Sequence, residues 1–134
     1  MIKRAGLATL AVLVLWTALD FILHGLILGG AYEATAELWR PMEEMKMGLI
    51  HIVTAISAIC FVTIWTYMIR PQTMKNGVLF GLIFGIAAGI SMGYGTYSSM
   101  PIPYYLAFAW FVGTIVEATL AGVVVALIVN EPAE

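Results

Sequence analysis

The chain has 134 residues, of which 62% are hydrophobic and only 10% are charged, and its formal net charge is −2. This composition excludes an ordinary soluble domain, in which about a quarter of the residues are charged. The small negative charge and the lack of a basic patch argue equally against nucleic acid as a partner.

Four long apolar segments make up most of the sequence. Each is long enough for a helix that crosses a bilayer, which needs about 20 residues. Because lipid offers backbone groups no hydrogen-bond partner, such segments must be helical. The sequence therefore predicts one all-α membrane domain over residues 1–134, a bundle of four transmembrane helices at about residues 5–28, 47–69, 77–98 and 102–129.

The first apolar segment carries two ionisable side chains, in the stretch LDFILHG. Asp20 and His24 are four residues apart, so a helix places both of them on one face. Ionisable groups are expensive inside a membrane, and they usually face the interior of the helix bundle or a water-filled cavity. We therefore expect this face to line a functional site.

The connection to the second segment, and the start of that segment, contain soft metal ligands in the stretch MEEMKMGLIH. Met42, Met45 and Met47 supply thioether sulfur, which selects Cu(I), and His51 supplies an imidazole, which binds copper, zinc and iron. The methionines are the weaker candidates, because methionine also fills gaps in apolar cores.

The third segment has a glycine at every fourth position, namely Gly77, Gly81, Gly85, Gly89 and Gly93. In a helix these glycines form one slowly drifting stripe without side chains, which another backbone can approach closely. We expect the stripe to pack inside the bundle, or against a second copy or a partner subunit. A flat cofactor also fits such a groove.

The fourth segment carries Glu117 near its middle. Counting residues at about 1.5 Å each places the two histidines at similar depth, Asp20 deeper and Glu117 deeper still. Three helices can therefore direct these ionisable groups into one buried pocket in the outer half of the bundle. The expected pocket consists of Asp20, His24, His51 and Glu117.

Basic residues at the segment ends indicate the orientation in the membrane. More Lys and Arg residues lie at the N-terminus and in the second connection than in the first connection. Connections rich in Lys and Arg stay in the cytoplasm. The N-terminus and the second connection hold Lys3, Arg4, Arg70 and Lys75, and the first connection holds Arg40 and Lys46. We predict a multi-pass protein of a bacterial inner membrane with both termini cytoplasmic.

The expected pocket suits a metal ion or a haem. Its nitrogen and oxygen ligands are those of copper, zinc or iron sites. His24 and His51, at matched depth on two helices, are also suitable axial ligands for a b-type haem. The sequence contains no catalytic motif, so a binding protein is favoured over an enzyme.

A second hypothesis is transport, in which Asp20 and Glu117 carry protons or bind a cation. The layout of four short helices with an acidic residue in the first resembles that of the small multidrug resistance transporters. The resemblance implies that Asp20 takes the place of their essential carboxylate and that the chain works as a homodimer. The long acidic loop and Glu117 depart from the pattern of that family.

A third hypothesis is an accessory or assembly subunit of a larger membrane complex. The sequence leaves little room for a soluble domain, and its glycine-rich face is suited to packing against other membrane helices. In such a subunit the ionisable groups within the membrane would contact the partner chain.

Overall fold

The computed structural model describes residues 1–130, in which there is no β-strand. Four helices within this range are long and apolar enough to cross a membrane, which confirms the expected four-helix membrane character. They are α1 (Ile2–Ile27), α2 (Met47–Met68), α3 (Met74–Ser99) and α4 (Tyr104–Ile128). The predicted cytoplasmic C-terminus includes residues 131–134, which lie outside the described residues.

The helices run alternately up and down. The start of α1 meets the end of α4, where the Arg4 guanidinium donates to the carbonyl oxygen of Asn130 at 3.4 Å. We call this end of the bundle the terminal end. The opposite end, the loop end, carries the connection between α1 and α2, which holds a short helix, Gly29–Glu33, and two 3₁₀ turns, Ala36–Leu38 and Met42–Glu44.

The glycine stripe of α3 packs against α4 along its whole length. A Cβ added at Gly77 would lie 2.5 Å from the carbonyl oxygen of Gly122, and one at Gly89 would lie 2.8 Å from that of Phe111. Only glycine permits two backbones to come so close. The sequence left the partner of the stripe open, and the structure shows that α4 of the same chain covers it.

The terminal half of the bundle has a dense apolar core. Phe61 of α2 is fully buried, and its ring lies 5.4 Å from Trp16 of α1 and 4.5 Å from Phe80 of α3. Trp65 is also fully buried, and its indole nitrogen donates to the carbonyl oxygen of Val129 at 2.8 Å. These contacts hold α1, α2 and α3 together and fix α2 to the end of α4.

The loop halves of α1 and α3 each contain a π-helical turn, at Phe21–Ile27 and at Ser91–Gly95. In α1 the wider turn ends where the amide of Leu28 donates to the carbonyl oxygen of Leu23 at 2.8 Å, five residues back. Such turns insert one extra residue into a helix and occur frequently at functional sites. The turn in α1 begins directly after Asp20 and contains His24.

The loop half of α2 stands apart from the other helices. Every residue from 48 to 53 is exposed, whichever side of the helix it occupies. The same helix is packed at its other end, where Ala58, Phe61 and Val62 are buried. The first turns of α2 therefore contribute nothing to the core of the described chain.

Candidate functional site

Two carboxyl groups meet at the contact between α1 and α4. The side chains of Asp20 and Glu117 are within hydrogen-bonding distance of each other. Ionised carboxylates only accept hydrogen bonds, so a bond between the two requires a proton on one of them. Trp16, one turn before Asp20, fixes the two helices at this level because its indole nitrogen donates to the Glu117 carbonyl oxygen at 3.0 Å.

Glu117 has unused hydrogen-bonding capacity. Its Oε1 atom is buried and receives no hydrogen bond from an ordinary N–H or O–H donor in residues 1–130. A buried polar atom without a partner is costly and uncommon in native structures, and it is often associated with a bound ion, a water molecule or a functional role. Glu117 therefore offers a buried oxygen as a binding position for a proton or a cation.

His24 continues the row of polar groups toward the loop end. Its Nε2 atom lies 3.9 Å from Oδ1 of Asp20, and the two side chains are 39% and 40% exposed. This degree of exposure places the site on the side of the bundle, open to the surroundings of the chain. The expected buried pocket is therefore not formed, because only two of the three expected helices enclose these groups.

A tyrosine and a tryptophan complete the row, and a second tryptophan packs against them. The hydroxyl of Tyr32, in the short helix after α1, lies 2.5 Å from Nδ1 of His24. The indole nitrogen of Trp110, on α4, donates to the same hydroxyl at 2.8 Å. Trp39 packs its ring against both, with centroid distances of 5.5 Å to Tyr32 and 6.0 Å to Trp110.

The environment of Tyr32 keeps its hydroxyl protonated. Burial raises the pKa of Tyr32, the hydrogen bond from Trp110 lowers it in part, and the charge of Asp20 raises it. Tyrosine normally ionises near pH 10, so a raised value leaves the phenol neutral at ordinary pH. Tyr32 therefore has an O–H available to donate.

His51 does not join this site. It lies in the exposed first turns of α2, and no hydrogen bond, ion pair or ring contact connects it to any other residue in 1–130. The expected four-residue pocket therefore does not include His51. A similar depth along two helices does not bring their side chains together, because the loop half of α2 is not packed against α1 and α4.

The expected metal site is also not present in the described part of the chain. No group of three or more His, Cys, Asp and Glu side chains in residues 1–130 is arranged to hold a metal ion. The weaker methionine candidates are exposed, Met42 at 78%, Met45 at 37% and Met47 at 48%. The site consists instead of Asp20, Glu117, His24, Tyr32 and Trp110, which we call the polar row.

Sequence reasoning missed Tyr32 and Trp110. Tyr32 lies eight residues after His24, which continues the four-residue spacing of Asp20 and His24. This spacing was a usable signal, because side chains in a helix lean toward its N-terminus and Tyr32 therefore reaches back toward His24. The role of Trp110 had no such signal, since it depends on which helix packs beside α1.

Comparison with known proteins gives no relative for this chain: no family model matches it, and neither a curated protein nor a solved structure shows significant similarity.

Proposed function

We propose that the protein is a small proton-linked transporter of a bacterial cytoplasmic membrane. Asp20 and Glu117 hold the coupling proton or cation, and His24 connects them to the loop end. The observation that carries this proposal is the direct contact of two carboxyl groups on two membrane-spanning helices, with a histidine one turn away. Ionisable residues within spans often form proton relays or ion sites.

The carboxyl pair has a small set of stable states. Two neighbouring carboxylates in a medium of low dielectric repel each other strongly, so both cannot remain ionised without a positive charge nearby. A shared proton or a bound cation removes this repulsion. Exchange between these states is the chemical change that the site can undergo, and a transporter can couple that change to the movement of a substrate.

The orientation follows from the distribution of basic residues, which favours both termini on the cytoplasmic side. The loop end and the Tyr32 end of the polar row then face outward. A Glu37→Cys variant in a Cys60→Ser background should react with a membrane-impermeant thiol reagent on intact cells. Protection of Glu37→Cys, with labelling only after the membrane is opened, would reverse the orientation.

A pH-flux assay tests the proposal. The purified protein is reconstituted into vesicles that contain a pH-sensitive dye, and an imposed potassium diffusion potential drives proton entry. We expect Asp20→Asn and Glu117→Gln each to reduce the protein-dependent flux at least tenfold, because each removes one carboxyl of the pair. Glu37→Gln is the matched control, since it removes an acid of the connection outside the spans.

Two outcomes of this assay would contradict a proton-linked role. One is a wild-type flux no greater than that of empty vesicles, both without added substrate and with a panel of cations. The other is a flux that both carboxyl variants retain in full. The glycine stripe is covered by α4, so a homodimer of this transporter would have to pack through another face.

A bound metal ion or haem is a competing hypothesis with a weaker basis in the geometry. Nδ1 of His24 is engaged by Tyr32, so this nitrogen cannot bind a metal or a haem without rearrangement. An absorption spectrum and elemental analysis of the purified protein decide the point. A Soret band or a stoichiometric copper, zinc or iron content that His24→Ala abolishes would favour this hypothesis over transport.

An accessory subunit is favoured by one separate observation, the exposure of all residues from 48 to 53 on α2. A helix that is unpacked on every side within its own chain is free to contact another membrane protein. Native electrophoresis of gently solubilised membranes tests this hypothesis. A single large complex that an Ile50→Trp change disperses, together with no proton flux, would favour it.

A further inference from the structure

The hydrogen bonds around the Tyr32 hydroxyl have a defined direction. The indole N–H of Trp110 is only a donor, so at 2.8 Å the Tyr32 oxygen must accept from it. The hydroxyl hydrogen of Tyr32 then remains for the second contact, the one with Nδ1 of His24 at 2.5 Å. No other acceptor in residues 1–130 lies within hydrogen-bonding distance of this hydroxyl, so donation to Nδ1, which then carries no proton, is the arrangement that satisfies both groups.

The neutral imidazole has one protonated nitrogen, and the bond that one nitrogen makes fixes the state of the other. Since Nδ1 of His24 is an acceptor, its proton lies on Nε2, which is the nitrogen 3.9 Å from the Asp20 carboxylate oxygen. This distance is longer than a direct hydrogen bond, so the protonated nitrogen lies near the acid without bonding to it directly. The protonated side of the imidazole is thus the side nearer to the Asp20 carboxyl.

We propose that Trp110 is a positioning residue that fixes the tautomer of His24 through Tyr32. Trp110 makes no hydrogen bond to the carboxyl pair among residues 1–130. It determines which way the Tyr32 hydroxyl points, and that direction places the imidazole proton toward Asp20. The consequence for flux rests on the proposed transport function, whereas the tautomer assignment rests only on the two hydrogen bonds.

Trp39 supplies a matched control. Its ring packs against Tyr32 and Trp110, but its indole nitrogen donates to the Thr35 hydroxyl at 2.8 Å and not to Tyr32. Trp110→Phe and Trp39→Phe therefore both remove an indole N–H and keep an aromatic ring in the same cluster. Only the first removes the donor to Tyr32.

Nitrogen-15 NMR of the histidine side chains tests the proposal in detergent or in bilayers. The chain has only two histidines, so the spectrum is simple, and His51 serves as an internal reference because no other residue in 1–130 makes a hydrogen bond to it. At a pH where His24 is neutral, the wild type should show a single dominant Nε2–H tautomer for His24. Trp110→Phe should convert that signal to a mixture of tautomers, and Trp39→Phe should leave it unchanged.

Either of two results would overturn the proposal: a dominant Nδ1–H tautomer in the wild type, or the same His24 tautomer in wild type and Trp110→Phe. Tyr32→Phe is the second variant, and it should abolish the preference by removing the hydroxyl itself. An unchanged thermal unfolding midpoint in detergent shows that each variant is folded. Because the tautomer is measured without any flux, a wild type that transports no protons would end the proposed function and leave this assignment standing.

Discussion

In the terminal half of the bundle all four helices pack together through buried aromatic and small side chains. In the loop half, α2 lies apart from the other helices, and polar groups line the contact of α1 with α4. The terminal half holds the fully buried Phe61 and Trp65. The loop half holds the two π-helical turns and the polar row. Regions of low packing density open more readily, and functional elements are commonly drawn from them.

This difference indicates how so short a chain can keep ionisable groups within a membrane. The dense half supplies the free energy that holds the helices in register. The other half then tolerates exposed side chains, widened helical turns and a carboxyl oxygen that receives no hydrogen bond from an ordinary N–H or O–H donor in residues 1–130. We expect substitutions in the terminal half to affect stability first, and substitutions in the polar row to affect proton handling first.

The largest effect on stability is expected for Gly81→Ala. A Cβ at Gly81 would overlap the carbonyl oxygen of Ala118 and lie 2.8 Å from Cα of Thr119, both of which are backbone atoms. Backbone cannot rotate aside, so α3 and α4 must separate. Overpacking costs about 1–3 kcal/mol, and we expect the upper part of that range in reversible unfolding in mixed detergent.

Gly113→Ala is the matched change in the loop half. The three atoms nearest to the new Cβ all belong to the side chain of Leu23, the flexible end of which can move. Gly6→Ala, with nothing within 4 Å of its Cβ position, controls for the effect of alanine on a spanning helix. Equal stability of Gly81→Ala and Gly113→Ala would show that the two halves do not differ in packing in the way described.

The sequence was informative where a physical signal is local. The length and hydropathy of the apolar segments predict the four spans, and the four-residue period of the glycines predicts a close helix contact. The pairing of Asp20 with Glu117 is not local, because it depends on which helices are neighbours. The four-residue period of the glycine stripe does not show which helix packs against it, since α4, a second copy of the chain or a partner subunit could each provide that helix.

The errors in the expected site have two physical causes. His51 was grouped with Asp20 and His24 by depth alone, but the loop half of α2 is not packed on the bundle. Tyr32 lies just beyond the first apolar segment, where a tyrosine does not stand out as an ionisable group within the membrane does. Placing a phenol just beyond a membrane span costs little free energy. Tyrosine commonly lies at the membrane interface with its hydroxyl hydrogen-bonded.

A smaller effect, specific to the polar row, is expected at high pH. Burial raises the pKa of Tyr32 above its ordinary value near 10, so the folded chain holds this proton more tightly than the unfolded chain. The stability that Tyr32 contributes is therefore full below about pH 10 and is lost as the pH rises through the folded pKa. Tyr32→Phe should remove this part of the alkaline loss of stability.

Phenolate absorbance measures the same titration directly, as the difference between wild type and Tyr32→Phe. Trp110→Phe should raise the pKa of Tyr32 further, because the hydrogen bond from Trp110 is the contact that lowers it. Trp39→Phe should change it less, since Trp39 donates to Thr35. Ionisation of Tyr32 below pH 10 would show that the hydroxyl is not buried as described, and the polar row would then end at His24.

The smallest effect is expected for His51→Ala. The imidazole of His51 is exposed and has no hydrogen bond, ion pair or ring contact with another residue in 1–130, so its removal leaves nothing unpaired. The free energy of unfolding should change by no more than about 0.5 kcal/mol, as for most exposed positions. Proton flux and the His24 tautomer should stay at wild-type values, while His24→Ala reduces the flux.

If His51→Ala instead abolished flux, or removed a bound metal or haem, the loop half of α2 would have to approach α1 in the working protein. The difference between a packed terminal half and an open loop half would then describe only one state of the chain.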